Sequence, residues 1–224
     1  MPDGREPATV KVLGSLGEVP AAQWDACAGT DDPFLSHAFL SALEESGSAS
    51  ARSGWLPRHL VVEDRDGTVI AAAPFYLKSH SYGEYVFDWS WADAYERAGG
   101  RYYPKLQSAV PFTPVTGRRL LVRPGADAET ESELADVLAA AMVTLGESLG
   151  VSSVHVNFPT EAEWRRLGDH GLLLRTGQQY HWRNRGYETF DDFLASLSSR
   201  KRKAIRRERR AVADQGIVLS TLTG

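Results

Sequence analysis

The chain has 224 residues, a formal net charge of −4, 42% apolar residues and 24% charged residues; this balance excludes wholesale disorder and leaves room for one large domain or two small ones. A single cysteine, Cys27, excludes an intrachain disulfide and a cysteine-based zinc cluster, and no apolar run approaches the roughly 18 to 20 residues that span a bilayer. The opening MPDGREPATV lacks a basic stretch followed by an apolar one, so the expected location is cytoplasmic.

Residues 1–9 read as a flexible tail. Residues 24–45 have helical character, as two short helices separated by a break at 29–33, with Ser36 placed to cap the second. Residues 59–63 and 68–77 flank Asp64-Arg65-Asp66-Gly67, whose Asp-Gly pair suits a tight turn, so two antiparallel strands are expected. Residues 82–103 are rich in aromatics with interspersed acids and glycines; periodicity does not decide their structure, and strand and loop are expected. Within them, Trp89, Trp91 and Tyr95 either pack internally or stack on a sugar or base.

Prolines at 104, 111 and 114 stiffen the next stretch, which reads as a loop carrying Lys105, Gln107, Thr113, Thr116 and Arg118. A rigid loop with these groups can hold the phosphate or carboxylate of a substrate, or it can be a structural crossover. A strand at 119–122, a long helix at 131–150 ending at glycine and a strand at 152–158 then form a βαβ pattern, whose strands are expected to be parallel. His155 and Asn157 stand two apart on the second strand and share a face, where they serve proton transfer or simply bond a neighbour. Thr160 and Glu163 form a capping-box pattern for a helix at 160–170. Residues 172–175 and 178–184 read as a closing hairpin, with His181 and Arg183 as a second pair on one face.

Between positions 200 and 210 the chain reads RKRKAIRRERR, a stretch of charge +7 that leaves about −11 on everything else. At about 100° per residue, Phe193, Leu194, Leu197, Ala204, Ile205, Ala211 and Val212 fall on one arc of a helix started by Asp191 or Asp192. Arg200, Arg202, Lys203, Arg206, Arg207 and Arg210 fall opposite, as a face for nucleic acid or another anion. Lys201 and Glu208 interrupt the apolar arc, as stems at its edge or as charges facing a ligand. Residues 217–222 read as a strand with nothing downstream to pair with, so the chain is expected to be the leading part of a longer protein.

The six histidines lack metal-ligand spacing, so no metal is expected; G-x-S-x-G and G-x-x-x-x-G-K-[ST] motifs are also absent. The order of helices, hairpin, strand, βαβ and closing hairpin resembles the GNAT (acyl-CoA N-acyltransferase) fold, an α/β mixed sheet with flanking helices. DPFLSH at 32–37, YPKLQSAVPFTPVTGRRLL at 103–121, HVNF at 155–158, YHWRN at 180–184 and FDDFL at 190–194 resemble the FemAB-like family of peptidoglycan biosynthesis or recognition, a predicted N-acyltransferase group.

That resemblance implies two GNAT-like domains in tandem. Here they would be a first domain at 10–188 and the basic helix and first strand of a second at 189–224. It also implies transfer of an acyl or aminoacyl group to an amine, with acyl-CoA or aminoacyl-tRNA as donor and a small molecule or cell-wall precursor as acceptor. The glycine-rich pyrophosphate turn of GNAT enzymes is replaced by Arg123-Pro124-Gly125-Ala126-Asp127-Ala128-Glu129, so no bound cofactor is expected in this portion. Two other functions remain open: a nucleic-acid (tRNA) binding module built on the basic helix, and a non-catalytic protein that recognises cell-wall precursors.

Overall fold

A computed structural model describes residues 9–222, which divide into two compact units, one ending at Gly177 and the other beginning at Gln178. The first unit is a mixed α/β structure with two four-stranded sheets. One has the order β1 (Thr9–Leu13), β3 (His59–Glu63), β4 (Val69–Ala73), β7 (Leu121–Val122); the other has β2 (Trp55–Pro57), β5 (Tyr76–Lys78), β6 (Lys105–Ser108), β8 (Val154–Val156).

The chain passes directly from one sheet to the other at Arg58 and at Pro74-Phe75, where proline has no N–H to give a ladder. Arg58 N donates to Phe75 O at 2.8 Å, and Phe75 N donates to Nδ1 of the buried His59 at 3.1 Å. His59 Nε2 then carries the proton and donates to Glu44 at 2.8 Å, so a neutral imidazole pins the joint. Burial holds its pKa below the ordinary value.

Alternation in the first sheet explains its two covers. Val61 and Ala72 face α1 (Ala21–Ala28) and α2 (His37–Glu45) with Trp24, Leu35 and Leu40. Leu60, Val62, Ala71 and Ala73 face α4 (Ala128–Leu149) with Leu138 and Met142. Ser36 caps α2 through Phe39 N and the hairpin forms around Asp64 as the sequence leads one to expect, but the expected strand at 68–77 is split at Pro74-Phe75 into β4 and β5 of different sheets. Helix α4 ends at Gly150 in the left-handed conformation. At Gly146 a Cβ would stand 2.6 Å from Val154, so the missing side chain lets α4 approach β8. Thr160 and Glu163 form both bonds of a capping box on α5 (Glu161–Asp169).

Several expectations are corrected. The parallel pair is β6 with β8, while the short β7 lies antiparallel to β4 in the other sheet. The expected loop beginning at Lys105 starts as strand β6, so Lys105 and Gln107 are buried sheet residues. Residues 89–97 form a helix, α3 (Trp89–Arg97), with Asp88 at its N-cap position but its carboxylate engaged elsewhere. The expected hairpin at 172–184 and strand at 217–222 do not form; these segments are irregular and mostly exposed.

The second unit holds α6 (Phe190–Ala195) and α7 (Ser199–Asp214). The single expected helix is broken at 196–198. Thr189 caps α6 reciprocally with Asp192, taking the place expected of Asp191 or Asp192, and α7 restarts at Ser198. No residue of α7 is buried, and Lys201 and Glu208 are exposed.

Candidate functional site

The second sheet carries an unusual face. Register places Tyr76, Gln107 and His155 opposite one another, and Lys78 opposite Lys105, so these side chains share one side of β5, β6 and β8. Leu77, Leu106 and Val154 point the other way, towards the apolar core beneath α4. Five fully or nearly fully buried polar side chains, Lys78, Glu84, Asp88, Lys105 and Gln107, meet on the polar side.

Lys105 is the hub. Its Nζ donates to Asp88 at 2.7 Å, to Glu84 at 2.8 Å and to Ser81 Oγ at 3.0 Å. Tyr102 OH donates to the same Asp88 oxygen at 2.8 Å. With its amide oriented to satisfy both neighbours, Gln107 donates to Glu84 at 2.9 Å and accepts from Asn157 at 2.8 Å. Lys78 Nζ lies 3.5 Å from the Trp55 ring centroid and 3.9 Å from Glu84.

These contacts set the charge states. Burial opposes ionisation of Asp88, but bonds from Lys105, Ser81 and Tyr102 outweigh it and hold the pKa down to about 2. Burial pushes Glu84 up against the pull of Lys105 and Lys78. Burial, reinforced by the charge of Lys105, lowers Lys78 to about 7. His155, half-buried with Nε2 2.8 Å from Ser153 Oγ, is lowered to about 4 by burial and then by Lys105, so its imidazole is neutral at pH 7.

Beyond Ser108 and Asn157 the parallel strands part. Asn157 N donates to Ser108 O at 2.9 Å, and Phe158 then turns away with φ of 53°. Arg119 fills the opening: Nε donates to Asn157 O at 3.0 Å, and its two Nη atoms donate to Val115 O and Arg118 O at 2.8 Å. The Glu163 carboxylate accepts from Arg119 N and Leu120 N at 2.8 Å, so α5 anchors the segment that follows β6.

The expected site residues therefore separate. Lys105, Gln107, His155 and Asn157 come together. Thr116 and Arg118 line a different cleft with Asp31, Asp32, Phe34 and Thr160, and Arg118 also donates to Ala28 O. Thr113 turns its hydroxyl onto Pro111 O at 3.1 Å. His181 and Arg183 lie exposed in the irregular start of the second unit; with no strand there, they form no strand-face pair. On α7, Arg200, Lys203, Arg206, Arg207 and Arg210 are exposed, and Arg206 pairs with Asp191 at 2.9 Å. Arg202 is half-buried and donates to Ala195 O at 3.3 Å.

Sequence reasoning missed Lys78, Glu84, Asp88, Arg119 and Glu163 as members of these networks. The available signal was the acid spacing in 82–103 and two lysines at inward positions of strands. The start of α4 does not fit a coenzyme A pyrophosphate. Asp127 accepts from Thr130 N at 2.9 Å and Glu131 from Gly125 N at 3.2 Å, so carboxylates occupy donors that a phosphate would need. Among the described residues no cluster of metal-ligating side chains occurs and no helix is long and apolar enough to cross a membrane.

A family model for FemAB-like proteins, described as peptidoglycan biosynthesis/recognition, matches residues 15–224. No curated protein matches the chain. Among solved structures, an aminoglycoside 6'-N-acetyltransferase from Acinetobacter baumannii aligns with TM-score 0.42 and 11% identity over 81% of this chain and 99% of its own. A ribosomal-protein-alanine N-acetyltransferase from Brucella melitensis biovar Abortus 2308 aligns with TM-score 0.40 and 15% identity, over 80% and 100%. AAC(6')-Iy, solved in complex with a bisubstrate analogue, aligns with TM-score 0.45 and 14% identity, over 80% and 99%.

Proposed function

The chain belongs to the FemAB-like family, and from that premise we propose that it takes part in transfer of an acyl or aminoacyl group to an amine, with a peptidoglycan precursor as the acceptor class. In such a transfer the amine nitrogen bonds to the acyl carbon and the carbon's bond to the leaving oxygen or sulfur breaks. The proton lost by the amine must reach a base and then the leaving group.

The observation that carries the reading is His155 on β8. It is held neutral beside Lys105 and lies across from Gln107 on the parallel strand. A neutral imidazole has a free lone pair for the amine's proton; with a pKa near 4 it holds that proton weakly and passes it on readily to the leaving group. In this reading Lys105, Asp88, Glu84 and Gln107 are positioning residues that fix the sheet face on which His155 stands. Asn157 acts through Gln107.

The donor is an activated ester or thioester, of the aminoacyl-tRNA or acyl-CoA class. The acid-capped start of α4 supports a donor that does not depend on pyrophosphate binding there. The exposed cations of α7 favour a second reading, contact with a polyanion such as a tRNA, which is compatible with the first when the donor is charged tRNA.

The test incubates the protein with labelled aminoacyl-tRNA or acyl-CoA and a muropeptide bearing a free amine, and follows the mass of the acceptor. The reading expects a product one acyl unit heavier. Binding of the muropeptide without turnover with either donor class would replace it with pure recognition.

A further inference from the structure

The segment that covers the polar sheet face presents its aromatics outward. Tyr82, Tyr85, Phe87, Trp89, Trp91 and Tyr95 are between 46% and 73% exposed, where internal packing of Trp89, Trp91 and Tyr95 was one expectation. Six large aromatics exposed within fourteen positions exceed the scatter of single apolar residues on an ordinary surface.

The backbone supports a built feature. Glu84 and Asp88 are drawn inside by Lys105, so the three residues between them bow out. Tyr85 and Phe87 adopt φ of 59° and 51°, a region that disfavours L side chains by roughly 1 kcal/mol or more each. Buried ion pairs at both ends hold that strained arch. Tyr82 meets Trp89 edge to face at 5.1 Å, which orders that pair of rings.

Charge selects the occupant. No lysine or arginine occurs from position 81 to 96, where Asp93 and Glu96 are exposed; Arg97, at the end of α3, is paired with Asp93 at 2.7 Å. Arg175, from outside the segment, lies 5.9 Å over the Trp91 ring. A phosphate-rich strand or an anionic lipid surface needs a field of cations that this segment lacks. A pyranose ring fits better: its C–H faces are weakly positive and stack on aromatic faces, and its hydroxyls meet tyrosine O–H and tryptophan N–H groups at the ring edges.

We propose that this aromatic arch is a carbohydrate subsite that takes an amino-sugar ring of a peptidoglycan fragment. The inference rests on the cell-wall acceptor proposed above and adds which part of that acceptor is held and where.

Tryptophan fluorescence of the full chain, titrated with an N-acetylglucosamine tetramer and separately with a sugar-free stem peptide, tests it. The saccharide is expected to give a saturable change and the stem peptide none. Phe87→Ala with Trp91→Ala is expected to weaken saccharide binding at least tenfold with unchanged thermal unfolding; if that double variant fails to fold, Trp91→Ala alone carries the same expectation. No saccharide response, an equal response to the stem peptide, or a response only to phosphatidylglycerol vesicles would overturn the proposal. Transfer to a sugar-free amine, measured on the same protein, separates the two readings. Transfer without saccharide binding sinks the subsite alone, and saccharide binding without transfer leaves the subsite standing while removing the catalysis.

Discussion

Lys105 Nζ stands 2.7 Å from the Asp88 carboxylate, linking strand β6 to the residue that opens α3. That contact ties the aromatic segment to the sheet, and the lysine also neutralises Glu84. Removing the cation alone leaves the buried Asp88 carboxylate without a cation and Glu84 with only Lys78, 3.9 Å away. Lys105→Met is therefore expected to destabilise the protein by about 3–5 kcal/mol. Lys78 is a useful contrast, because it lies 3.9 Å from Glu84 and burial already disfavours its charge. Lys78→Met should cost less than roughly half as much. Urea denaturation of the two variants checks the order.

Acid sensitivity follows chiefly from the depressed pKa values of His155 and Asp88. His155 binds its proton near pH 4 when folded and near 6.5 when unfolded, so the unfolded state takes up more protons in that window and stability falls as pH drops through it. Asp88 continues the loss between its ordinary 3.8 and about 2. His59, lowered by burial, adds to the first window, and Glu84, raised by burial, opposes part of it. The difference between wild type and His155→Gln isolates one residue: the variant should show a shallower loss between pH 6.5 and 4 and an unchanged one below.

Glu163 illustrates how a single carboxylate serves two elements. It caps α5 and accepts the buried N–H groups of Arg119 and Leu120. Glu163→Ala leaves those donors unpaired and should cost about 2–4 kcal/mol. Glu163→Gln retains an acceptor and should cost less. Thermal unfolding of both variants measures the difference.

The cations of α7 make a separate prediction. If they meet a polyanion, Lys203→Glu with Arg207→Glu should abolish tRNA binding. The wild-type affinity should fall steeply with salt. Both residues are exposed, so the fold should be unaffected. Filter binding across a salt series reads both effects.

Much of the framework was legible because local chemistry dictated it: Ser36 as a cap, the Asp64 turn, the Thr160–Glu163 box and the glycine that ends α4 all act within a few residues. Pairing across distance was not. The 119–122 strand joined the other sheet because β6 and β7 each follow one half of the line formed by β4 and β5. Helix α3 was not legible because the aromatics, acids and glycines of 82–103 follow no clear apolar period, and its N-cap acid has its carboxylate on Lys105. The candidate site was half visible: His155 and Asn157 could be named as a strand-face pair and Lys105 and Gln107 as polar residues read as loop, whereas their partners Glu84 and Asp88 sit on an arch whose course depends on Lys105.

Central to the account is the neutral His155 as proton acceptor in group transfer. The most direct measurement is the pH dependence of transfer to an amine by the wild-type protein and by His155→Gln. The account predicts an acidic limb near pH 4 in the wild type and at least a hundredfold fall in kcat in the variant, with KM little changed. Transfer that proceeds equally well in the variant would contradict it.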